Sequence, residues 1–121
     1  MTDGVNRQIA IPALLADHKD MLIVTGLAGS AKDIGALTQD ADNTFTMAGA
    51  MGGATAMGLG LALAQPDRKV VVVTGDGELL MNLSSLATVA VAKAPNLSIV
   101  CVDNGHYQET GDQASHTSQG V

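Results

Sequence analysis

The chain of 121 residues has a single cysteine, Cys101. That excludes an internal disulfide and a cysteine-based zinc cluster. Tryptophan is absent, and Phe45 and Tyr107 are the only aromatic residues. A core must therefore come from Ala, Val, Leu, Ile and six Met. Basic residues are scarce as well: six Lys and Arg stand against twelve Asp and Glu, for a formal charge of −6. Nucleic-acid binding calls for a basic face and usually stacking rings, so nucleic acid is not an expected partner. No apolar run approaches the span of a transmembrane helix, and no membrane partner is expected. The N-terminal stretch with Asp3 and Arg7 lacks the pattern of a secretory signal, and the expectation is a soluble cytoplasmic protein. With 46% hydrophobic and 15% charged residues the chain is globular, and its length suits one domain spanning 1–121.

Glycine is plentiful, with fourteen residues, and all but Gly4 cluster at 26–35, 49–60, 75–77 and 105–120. These clusters alternate with apolar runs, as expected where backbone turns tightly around something. Runs at 21–25, 70–74 and 97–102 are apolar without alternation, the pattern of parallel strands covered on both faces. Helices are predicted over 6–16, 30–37, 51–64 and 79–94, the last two stopped by Pro66 and Pro95. The 79–94 segment places Leu79, Leu83, Leu86 and Ala90 on one face. Alternating helices and strands predict an α/β fold with a parallel sheet. Three strands make a thin sheet, so an incomplete domain or one that borrows from another chain is expected. Residues 105–121 are polar and read as a loop or tail. Cys101, in mid-strand, reads as a buried small hydrophobe.

In open parallel sheets, ligands bind beyond the carboxyl ends of the strands. Here those ends are Thr25-Gly26, Thr74-Gly75-Asp76-Gly77 and Asp103-Asn104-Gly105. Asp76 offers a carboxylate and Asn104 an amide oxygen, hard donors of the kind magnesium takes beside a phosphate. A histidine zinc site has no support, because neither His106 nor His116 has a His or Cys partner at ligand spacing. Gly58-Leu59-Gly60 is no dinucleotide fingerprint, since it lacks the third glycine and falls inside a helix. On its own, Gly75-Asp76-Gly77 is equally explained by a strand-ending turn.

Gly75-Asp76-Gly77 followed after twenty-six residues by Asn104 resembles the cofactor motif of thiamine diphosphate enzymes. Phe45 to Gly52 resembles the segment that grips the two rings of that cofactor. Gly75 to Thr88 and Val102 to Gln113 are similar to the beta subunits of decarboxylases of the sulfopyruvate and phosphonopyruvate type. The resemblance covers residues 6 to 117. It implies the diphosphate-binding half of the thiamine diphosphate fold, truncated, with thiamine diphosphate and Mg2+ as cofactors. Asp76, Asn104 and the carbonyl of His106 would bind the metal. Gly75, Gly77 and Glu78 would face the diphosphate, with Ala28, Gly29 and Ser30 on the first loop and Tyr107 beside the site. The Gly49 carbonyl would accept from the cofactor's amino group, next to Ala50, and Met51 would support its bent shape.

The resemblance also implies a lyase that works only with a partner. The activating glutamate of the family lies on a separate pyrimidine-binding domain or alpha subunit, so no catalytic residue is assigned here. A homo- or hetero-oligomer is expected, with its interface on the 51–64 helix. The alternatives are a non-catalytic cofactor- or phosphate-binding module and a structural fragment without ligand.

Overall fold

A computed structural model describes residues 4–121. Four parallel strands form the central sheet: β1 (Met21–Thr25), β2 (Thr44–Thr46), β3 (Lys69–Gly75) and β4 (Leu97–Val102), in the order β2-β1-β3-β4. The register runs Ile23 to Val71 between β1 and β3, and Val72 to Ile99 between β3 and β4. The parallel α/β architecture expected from the apolar runs is therefore present.

Helices cover both faces. On one side α1 (Arg7–Leu14) and α2 (Gly29–Thr38) bury Ile11 and Ile34 against Met21, Ile23, Val71 and Val73. On the other, α3 (Ala54–Ala64) sets Ala54 against Val24 and Val72, with Leu97 and Ile99 packed beside them. Successive strand residues thus enter opposite cores, which is why β1 and β3 show no polar alternation. Asn6 caps α1 through a 2.9 Å bond from the Gln8 amide to its side-chain oxygen. The α3 helix stops at Ala64, two residues before Pro66.

Four features depart from the sequence reading, the last of them Cys101. The first is β2, an edge strand of three residues with an exposed Phe45. Asn43 anchors its entry by donating to the carbonyls of His18 (2.7 Å) and Met21 (2.8 Å). The second is the 79–94 segment, which is two helices, α4 (Asp76–Met81) and α5 (Ser85–Ala92). Asn82 breaks it, because its side chain donates to the Gly52 carbonyl while its own carbonyl accepts from the Ser85 hydroxyl. The third is the segment read as a polar tail. It contains a small antiparallel ladder, β5 (His106–Tyr107) with β6 (Gln113–Ala114), and then a short 3-10 helix at His116–Gln119. Cys101 is exposed, not buried, because β4 lies at the sheet edge.

Candidate functional site

All strands point the same way, so the loops after them gather at one end of the sheet. The loop after β1, the segment after β2, the start of α4 and the segment after β4 line a single cavity of about 330 Å³. Ala28, Met51, Gly77, Glu78, His106 and Tyr107 meet there. They come from four separate stretches, as the convergence of strand ends predicts. Leu27, Met81 and the run Gln108 to Thr110 complete the lining and were not expected as site residues.

The first loop is held in an unusual conformation. Ala28, just ahead of α2, has φ 62° and ψ −125°, a region that favours glycine. Gly29 opens α2 beneath the Arg7 guanidinium, where a Cβ would lie 2.5 Å from Nη1. Arg7 is in turn fixed to Asp33 by a 2.7 Å ion pair through Nε. Ser30 is buried in the first turn of α2. Across the cavity, Ala48 has φ 42°. Gly49 and Ala50 lie on an exposed turn with open space around Gly49, and Met51 projects beside them.

Gly75 ends β3, and Asp76 begins α4 with its carboxylate buried. Oδ2 accepts from the Ser115 hydroxyl at 2.5 Å and from Thr117 at 3.2 Å. Oδ1 has only a 3.4 Å approach from the Asn104 amide. Burial pushes this carboxyl up, but the Ser115 hydroxyl, the Asn104 amide and the Thr117 hydroxyl together bring it below the ordinary 3.8. No basic side chain neutralises it among the described residues. Asn104 is exposed, and its side-chain oxygen accepts from the His106 amide at 3.0 Å. Asp76 and Asn104 are therefore neighbours, although neither lines the cavity itself. Ser115 and Thr117 escaped the sequence reading because a short polar run carries no spacing signal.

Two glycines set the close packing here. A Cβ on Gly77 would fall 2.3 Å from the Tyr107 ring, and one on Gly26 would collide with Glu78 Oε2. Glu78 is buried and reaches across the cavity floor. It accepts from the Leu27 amide through Oε2 (3.2 Å) and from the Gly52 amide through Oε1 (3.4 Å). The site thus joins a buried carboxylate, an exposed amide oxygen and a mainly apolar cavity with Glu78 on its floor. Hard oxygen donors of this kind suit a magnesium ion.

Residues 31–121 match the family described as thiamine pyrophosphate enzyme, C-terminal TPP binding domain. The chain is 40% identical over 107 residues to sulfopyruvate decarboxylase subunit beta of Methanothermobacter thermautotrophicus, covering 88% of this chain and 57% of the relative. It is 41% identical over 98 residues to the same subunit of Methanocaldococcus jannaschii, covering 81% and 51%. With phosphonopyruvate decarboxylase of Streptomyces viridochromogenes it shares 43% identity over 113 residues, covering 93% of this chain and 28% of that protein. The chain therefore spans about half the length of these two beta subunits.

Proposed function

From the premise that this chain belongs to the thiamine pyrophosphate enzymes, through their C-terminal TPP-binding domain, we propose that it is the diphosphate-binding part of a magnesium-dependent 2-oxo acid decarboxylase. The relatives point to a substrate of the sulfopyruvate or phosphonopyruvate class. The observation that carries the reading is the meeting of four strand-end segments around one cavity, with Asp76 and Asn104 side by side behind it.

The residues fit the group. Asp76 Oδ1, the Asn104 side-chain oxygen and the His106 carbonyl would supply hard ligands to magnesium. No basic side chain pairs with buried Asp76 among the described residues, and a divalent ion would neutralise it. The Ala28-Gly29-Ser30 loop and the amides of Gly77 and Glu78 would face the diphosphate. Met51 would give the rings an apolar support, with the Gly49 carbonyl as acceptor and Tyr107 closing the far wall over Gly77. When bound, thiamine diphosphate supplies a carbon nucleophile that attacks a 2-oxo acid and stabilises the carbanion left after carbon dioxide departs. The chain's own residues bind and orient it, and the segment 106–110 restricts water at the cavity mouth.

Glu78 stands at the diphosphate end and offers no activating carboxylate to the ring end. Catalysis therefore calls for a glutamate from a pyrimidine-binding domain or alpha subunit, consistent with the subunit names of the relatives. Calorimetry with thiamine diphosphate, with and without magnesium, tests the reading. Binding should require magnesium and be lost in Asp76→Asn. Equal binding by that variant would remove Asp76 from the ligand set.

A further inference from the structure

We propose that the Glu78 carboxylate is a built-in occupant of the anion cradle, which a diphosphate group has to displace before it can bind. The inference rests on the reading above and adds a determinant of affinity to it.

Glu78 is only 4% exposed, and no basic side chain pairs with it among the described residues. Its charge is met by backbone amides from two separate loops, Leu27 N–H on Oε2 and Gly52 N–H on Oε1. A buried anion held by neutral amides from converging loops is how proteins hold phosphate-like ligands, whereas a structural carboxylate is usually paired with a cation. Leu27, Met51 and Glu78 all line the same cavity, so the carboxylate borders the space the ligand would enter.

Two details argue that both anions cannot stay together. At Gly26 a Cβ would sit 1.6 Å from Oε2, so the backbone is already pressed against the carboxylate. Each amide also has one proton to give, and two negative groups in a poorly solvated pocket repel strongly. The tie is loose enough to be exchanged. At 3.2 and 3.4 Å its bonds are longer than the roughly 2.7–2.9 Å of strong charge-assisted contacts.

A purely structural tie between the loops would share this geometry but predicts the opposite sign on removal, since the loops would spread and binding would weaken. The test compares the full chain with Glu78→Ala and Glu78→Gln. Calorimetry measures binding of inorganic pyrophosphate and of thiamine diphosphate, each with magnesium, and thermal unfolding checks the fold. Both variants should bind both ligands more tightly than the unaltered chain, Glu78→Ala by about tenfold or more. If Glu78→Ala does not fold, Glu78→Gln decides, because it has the same size and keeps one acceptor oxygen. Unchanged or weaker affinity in a folded variant, while the unaltered chain binds, overturns this inference and leaves the proposed function standing. Binding by the variants alone supports both, and binding by none of the three proteins overturns both.

Discussion

Ala28 sits at φ 62° and ψ −125°, where a Cβ meets neighbouring backbone. Such strain costs about 1–3 kcal/mol, while glycine there would cost roughly 0.5–1 kcal/mol in unfolded-chain freedom. Ala28→Gly is expected to raise stability by about 1 kcal/mol in urea unfolding. A lower midpoint would mean the Ala28 methyl contributes more through packing than its strain takes away. Asp76 is different in kind. A surface residue in a strand-ending turn would cost little to lose, yet Asp76 is buried and accepts from Ser115 and Thr117. Asp76→Ala removes the shared acceptor of the Ser115 and Thr117 hydroxyls, leaving Ser115 only Thr117, and should cost about 1–3 kcal/mol. Because hydrogen bonding depresses this carboxyl in the folded state, its contribution is complete above the ordinary 3.8 and is lost as pH falls through the lower folded value. Urea midpoints followed into acid should fall less steeply in Ser115→Ala. At Cys101, partial burial and the charges of Asp103 and Asp76 push the thiol up, so exposure does not make it reactive. Alkylation near pH 8 should be slower than for free cysteine, and salt should narrow the gap by screening the aspartates.

Among the elements, β1, β3 and β4 were legible because a strand covered on both faces is apolar at every position. The strand β2 was not, since Thr44-Phe45-Thr46 is too short for a pattern and pairs only with β1. The break at Asn82 was hidden too, because its partner, the Gly52 carbonyl, lies thirty residues away. The same limit applies to the site. Asp76 and Asn104 stood out as polar residues at strand ends whose spacing resembles a cofactor motif, whereas the reach of Glu78 to Leu27 and Gly52 exists only after folding. Within α3, two glycines that look alike in sequence face opposite surroundings. A Cβ on Gly58 would lie 2.1 Å from Val72 Cγ2, while Gly60 has nothing within 4 Å. Gly60→Ala should gain up to about 1 kcal/mol from helix propensity. Gly58→Ala should lose about 1–3 kcal/mol to overpacking despite the same propensity gain. Thermal unfolding of the pair checks both signs, and a stabilised Gly58→Ala would contradict the packing of α3 on β3.

For the molecule as a whole, Met57 and Leu63 on α3 and Val91 on α5 leave apolar surface exposed on the face opposite α1 and α2. The α3 surface is where association is expected, and sedimentation at micromolar concentration should show an oligomer that Leu63→Glu dissociates. A monomer without that substitution would place the contact elsewhere. Turnover of sulfopyruvate or phosphonopyruvate by the chain alone is not expected, and carbon dioxide release without a partner would refute the need for an outside glutamate. The bond between Ser115 and Asp76 spans 39 residues of sequence. Protein synthesis proceeds at about 5–20 residues per second, so Asp76 leaves the ribosome roughly 2–8 seconds before the hydroxyl that holds it. During that interval the sheet can form from β1 to β3, but the carboxylate has no Ser115 or Thr117 to accept from. The corner around Asp76 therefore takes shape later than the sheet beneath it, and slow codons between residues 76 and 115 would prolong its unfinished state.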